Sequence, residues 1–195
     1  YAHPPETLRW KDCLGGLAVR HGLLVEEMLL RGYRHSSPFP QETKACWPDA
    51  YIDEPADQYA ILGRKYGGAD SGRIPLPSDA QRLWAQHKYS ILARDTSLYR
   101  RIGPMAAHRS SPETFSRLSR LLAEVLRMPP GAGGLMNALL HMWGYVSEPG
   151  TGARPVMEDP ASLARTIQKR ALRHNVRYLL ESTALSDLAY WASRV

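Results

Sequence analysis

The sequence predicts an all-α fold, a bundle of about seven or eight helices broken by two Pro/Gly-rich loops. Three observations lead there. Apolar residues recur three and four positions apart in almost every segment, and no segment shows the polar–apolar alternation of a half-buried strand. Capping residues or Gly and Pro bound each segment, and there is no internal repeat.

In chain order, Pro5 stands where a first helical turn tolerates proline. Leu14, Leu17, Ala18, His21, Leu24, Val25, Met28 and Leu29 then form one stripe, and Gly32 follows it where a left-handed cap belongs. SSPFPQETKACWPDAY carries three prolines and no period, so it reads as a loop. Asp53-Glu54-Pro55 opens a second helix that runs through Tyr66 and stops at Gly67-Gly68. The second loop, GGADSGRIPLPSD, ends in Ser78 and Gln81 at capping-box spacing, ahead of a third helix with Leu83, Trp84, His87 and Ile91. A fourth helix restarts at Asp95-Thr96 and reaches about Ala107. Ser111-Pro112-Glu113 opens a fifth, which buries Phe115, Leu118, Leu121, Leu122, Val125 and Leu126 and ends at Pro129-Pro130. A sixth covers about Leu135–Val146, Asp159-Pro160 begins a long basic seventh, and a short eighth spans about Ser186–Trp191.

At 195 residues the chain fits one domain, or one with a smaller appendage. No run approaches the roughly 20 consecutive apolar residues of a membrane span, so no membrane partner is expected. Cys13 and Cys46, in no CxxC spacing, read as free thiols in a reducing cytoplasm, with one disulfide between them the less favoured alternative. Charge divides the chain. Residues 1–80 hold 9 Lys/Arg against 11 Asp/Glu, whereas residues 81–195 hold 16 against 8. The shift coincides with the second loop and sets the expected domains at 1–77 and 78–195. Arginine dominates the excess, and its planar fork suits phosphate.

Motifs narrow the chemistry. GAGG at 131–134 has no strand before it and no GK[ST] after it, so it reads as a turn and not a phosphate loop. His3, His21, His35, His87, His108, His141 and His174 have no acidic residue three positions earlier and form no HExxH, so neither a metal nor any other cofactor is expected. The adjacent pair Glu26-Glu27 cannot turn both carboxylates to one site, and reads as the polar edge of an amphipathic helix. Two segments combine cations with aromatics. LWAQHKYSILARDTSLYRRIG (83–103) interleaves Lys88, Arg94, Arg100 and Arg101 with Trp84, Tyr89 and Tyr99. RTIQKRALRHNVRY (165–178) spaces Arg170, Arg173 and Arg177 into one stripe.

Two stretches resemble known families. Tyr1-x-His3-Pro4-x-Glu6-Thr7-Leu8-Arg9-Trp10, with Arg20-His21, Glu27-Met28 and Arg31-Gly32-Tyr33-x-His35-x-Ser37-Pro38, resembles the pyrimidine dimer DNA glycosylase (endonuclease V-type) family and, more closely, its cellular relatives. Trp84-x-x-His87-Lys88-Tyr89, Ala93-Arg94, Tyr99-Arg100, Gly103 and Asn137-x-x-x-His141-x-x-Gly144-Tyr145 are similar to the YbgA-like domain of unknown function, over about residues 81–190. The first resemblance implies DNA repair. In that family an N-terminal amine attacks a sugar carbon at the lesion and a Glu assists. By alignment both fall upstream of Tyr1, so no residue here is assigned a catalytic role.

The expected function is therefore DNA contact, with duplex DNA, damaged or not, as partner. Lys88, Arg94, Arg100, Arg101, Arg170, Arg173 and Arg177 would hold its phosphates. The alternative is an enzyme or accessory module acting on a small nucleobase-like metabolite, in a pocket of His87, Tyr89, Asn137, His141 and Tyr145. Convergence of those five side chains, against an open basic face, separates the two.

Overall fold

The computed structural model describes residues 5–38, 44, 46–66, 72–108, 111–147 and 159–195, all helical or irregular with no strand among them. Tyr1–Pro4, including His3, and part of each expected loop lie outside the described residues.

The capping chemistry explains most boundaries. A single turn, α1 (Pro5–Leu8), precedes α2 (Leu14–Leu30). Gly32 then takes φ +84°, a left-handed conformation that glycine adopts without a Cβ clash, as expected. After α3 (Pro55–Tyr66) comes α4 (Ala80–Arg94), whose cap is Asp79 and not Ser78. The Asp79 carboxylate accepts the Arg82 N–H at 2.8 Å, and the Ser78 hydroxyl donates to that same carboxylate. α5 (Thr96–His108) and α6 (Pro112–Val125, capped by Ser111) follow the periodicity.

α7 (Ala132–Trp143) starts earlier than expected, so Gly133 and Gly134 are helical. A Cβ on Gly134 would overlap the Ala93 carbonyl oxygen, so this glycine lets α7 approach α4 closely. GAGG is therefore a helix-packing element and not a turn. α8 (Pro160–Arg173) is capped by the Asp159 carboxylate, which accepts from Ser162 N–H at 2.9 Å. Asn175 ends it at φ +48°, a conformation Asn tolerates better than most residues, while Val176 N–H returns to the Ala171 carbonyl at 2.9 Å. That cap divides the expected long basic helix, leaving the single turn α9 (Arg177–Leu180) before α10 (Ala184–Ala192).

α4 is the central helix and packs against α5, α6, α7 and α10. One side carries Tyr89, Leu92 and Ala93 into a core shared with Leu135, Leu139, Leu163, Ile167 and Leu188. The other buries Leu83 and Ile91 against Leu98, Ile102, Leu118 and Leu122. Each fully buried Leu or Ile contributes about 1.5–3 kcal/mol of transfer free energy, so these two clusters hold the bundle.

α2 docks on α10, where Gly22 abuts the edge of the Tyr190 ring and leaves no room for a Cβ. Glu26 forms a two-pronged ion pair with Arg165 of α8 at 2.7 and 2.8 Å. Glu27 pairs with Arg31 at 2.8 Å and with Arg73, which also donates to the Leu180 and Ser182 carbonyls. Both glutamates are mostly buried, with side chains 12% and 14% exposed. They are anchors between helices and not a polar edge.

Candidate functional site

Cations and aromatics from four elements meet beside α9. Lys88 leaves the edge of α4 with its ammonium 4.8 Å from the Tyr89 ring centre and 4.7 Å from that of Tyr178. The Tyr145 and Tyr178 rings stack at 5.0 Å, and Tyr89 meets both edge-on at 6.3 and 6.4 Å. The local fold explains the meeting. Tyr145 lies in the turn that leaves α7, and the left-handed Asn175 redirects the chain so that Tyr178 faces it. Tyr89 is buried, but Tyr145 and Tyr178 keep 47% and 38% of their surface exposed. Burial, then hydrogen bonding to the Tyr145 and Tyr178 hydroxyls, pushes the Tyr89 phenol far above its ordinary pKa. It therefore remains a donor at any physiological pH.

Arg170 extends this face. Its guanidinium lies 4.6 Å over the Trp143 ring and donates to the Val146 carbonyl at 3.3 Å. Stacking uses the flat face of the guanidinium and leaves edge N–H groups for an anion. Arg173 is exposed on the last turn of α8, where a cation also complements the helix dipole. Arg177 is 82% exposed and reaches Glu181 only at 3.5 Å. Lys88 thus contacts Tyr178 directly, while Arg170 and Arg173 stand on α8 and Arg177 on α9, the element that carries Tyr178.

The other expected residues go elsewhere. Arg94 is 2% exposed and forms two hydrogen bonds to Asp187 of α10, at 2.8 and 2.9 Å. It also donates to the Ser90 and Met128 carbonyls, so it is a structural cation and not an exposed one. Arg100 and Arg101 are exposed on α5, whose apolar side packs in the other core. Arg101 lines a cavity of about 450 Å³ between α5 and α6, together with Arg117, Arg120, Ile102, Met105 and Leu121.

The five residues of the small-molecule alternative do not converge. His87 Nδ1 lies 3.0 Å from Thr183 Oγ1 and faces α10, while Tyr89 turns to Tyr145 on the other side of α4. Asn137 and His141 are exposed on α7. Burial pushes the His87 imidazole down to about 4, despite Asp187 pulling it up. Among the described residues no three potential metal ligands gather, and no helix is long and apolar enough to cross a membrane.

Tyr178 and Trp143 belong to the face but were not singled out from the sequence. Tyr178 closes the basic segment 165–178 and had a local signal. Trp143 had none, because only the fold sets it under Arg170.

Residues 1–41 match the family model described as pyrimidine dimer DNA glycosylase. Residues 88–153, which include Lys88, Tyr89, Trp143 and Tyr145, match the model described as protein of unknown function (DUF1722). No curated protein and no solved structure matches the chain. The chain therefore joins, in one helical fold, a segment similar to pyrimidine dimer DNA glycosylases and a segment similar to a family of unknown function.

Proposed function

We propose that this chain is a DNA-contacting part of a DNA-repair-type protein, and that it grips DNA with the face formed by Lys88, Arg170, Arg173 and Arg177 around Tyr145 and Tyr178. The observation that carries the reading is the half-buried Lys88 ammonium set over one of two exposed, stacked tyrosines, with exposed arginines on α8 and α9. The cations suit phosphate, and the rings suit a base that has left its stack, as bases at damaged sites do at low cost. The similarity of residues 1–41 to pyrimidine dimer DNA glycosylases supports DNA as the polyanion. Arg94 is left out because it is buried, and Arg100 and Arg101 are left out because they project from α5.

The test is a fluorescence anisotropy titration with labelled duplex, intact and carrying an unpaired nucleotide, at low and moderate salt. Affinity should fall steeply with salt, with a log–log slope of about −0.9 per phosphate neutralised. Arg170→Ala and Arg177→Ala should each reduce that slope by about 1. Tyr145→Ala should weaken the duplex with the unpaired nucleotide more than the intact one. No binding at low salt overturns the proposal.

A further inference from the structure

Cys13 and Cys46 are far apart in sequence, yet the fold sets the Cys46 thiol against the backbone that leads into Cys13. Cys13 caps the start of α2. Cys46 lies in the irregular segment before α3, and its Sγ donates to the Asp12 carbonyl at 3.1 Å. Neither is in a disulfide.

The contact is held from several sides. The Cys46 carbonyl oxygen rests against Gly16, where a Cβ would overlap it. Trp47 meets Trp10 edge-on at 5.9 Å, and Arg9 donates to the Ala50 carbonyl at 3.0 Å. Arg127, from the end of α6, lies over both Trp47 and Tyr51. Residues 46–50 are thus held against residues 9–16, beside both cysteines. Access is adequate too, since Cys46 is exposed and Cys13 half-buried.

We propose that Cys13 and Cys46 form a reversible disulfide by exchange with a small disulfide of the glutathione class, fastening the irregular segment to the start of α2. The Cys46 thiolate, on the exposed side, attacks glutathione disulfide; a Cys46–glutathione bond forms and one glutathione thiolate leaves. Cys13 gives up its proton to solvent, its sulfur attacks the Cys46 sulfur, and a second glutathione leaves. Two protein thiols are oxidised to one disulfide, and one glutathione disulfide is reduced to two glutathiones. The Cys46 hydrogen bond, burial and nearby carboxylates push the Cys13 thiol up to about 11, which suits it to the second, intramolecular step and not to initial attack.

The inference is independent of DNA binding. Its test equilibrates the whole chain with glutathione buffers of increasing oxidised fraction, followed by acid quench, alkylation and intact-mass analysis. The expected product has lost two hydrogens, carries no glutathione and melts above the reduced chain, with slower amide exchange at residues 9–16 and 46–50. Cys13→Ser should stop at one glutathione on Cys46, and it should lose the oxidation-dependent rise in melting temperature. Two alkylatable thiols after equilibration with excess glutathione disulfide would overturn the inference. So would stable accumulation of doubly glutathionylated chain.

Discussion

Replacing Arg94 with Ala separates the structural from the ligand-facing arginines. The guanidinium is 2% exposed and makes four hydrogen bonds: two to the Asp187 carboxylate and one each to the Ser90 and Met128 carbonyls. Summing these bonds at face value would overstate the effect, because the folded state also bears the desolvation of both charges. Removing one partner nevertheless leaves Asp187, only 12% exposed, without its counter-charge. Breaking such a pair costs about 3–5 kcal/mol, which for a chain of this size lowers Tm by roughly 6–20 °C. Urea denaturation followed by circular dichroism measures the loss. An anisotropy titration below the variant's transition should show DNA affinity and salt slope unchanged. Arg94→Met with Asp187→Leu, which removes both charges, should recover most of the stability. Arg177→Ala should behave oppositely, changing stability by less than about 0.5 kcal/mol while lowering the salt slope. An Arg94→Ala chain of wild-type stability whose salt slope falls would refute the reasoning.

Further outcomes follow from individual residues. His87 should make the fold acid-sensitive: its imidazole drops from 6.5 to about 4 on folding, so protons favour the unfolded chain, and stability declines as pH falls from about 6.5 to about 4. The decline should total about 3 kcal/mol by denaturation at a series of pH values, and His87→Asn should remove it from that window. Glu27 adds a separate loss at lower pH. Burial alone would raise its carboxyl pKa, but Arg73 and then Arg31 hold it below the ordinary value. At the α2–α10 contact, Gly22→Ala should destabilise by about 1–3 kcal/mol, since its Cβ would overlap Tyr190. Gly63→Ala in α3, with open space around it, should instead stabilise by about 0.5–1 kcal/mol; equal melting temperatures for the two variants would contradict the packing described.

The helices were legible because their signals are local. The acidic cap at Asp159 and the glycine after α2 act within a few residues and operate in the folded chain, and α2 forms where the Leu14–Leu29 stripe predicts a helix; but α2 buries Gly15, Gly16, Gly22 and Val25 and leaves Leu14, Leu17, Leu24 and Leu29 exposed. What was illegible depends on contacts between distant residues. Arg94 and Arg177 carry the same charge in similarly basic segments, and only the position of Asp187 on α10 draws one of them inside. Gly134 looks like any turn glycine until the Ala93 carbonyl is set against it. The aromatic face was half visible: Lys88, Tyr89 and Tyr145 were candidates, but on separate readings, and the Asn175 turn is what unites them with Tyr178.

Arg73 has a consequence for dividing the chain. It lies near the end of the acidic first part, within the loop that reads as a connector, yet its guanidinium holds a carboxylate of α2 and carbonyls on both sides of Glu181. A gene fragment cut at residue 77 would leave one piece with a charged, water-excluded Arg73–Glu27 pair facing solvent. The other would carry carbonyls at 180 and 182 stripped of their donor, and an uncovered Tyr190 ring. Recombination or engineering that treats the two family-like segments as exchangeable cassettes must therefore carry the connector and its acceptors together.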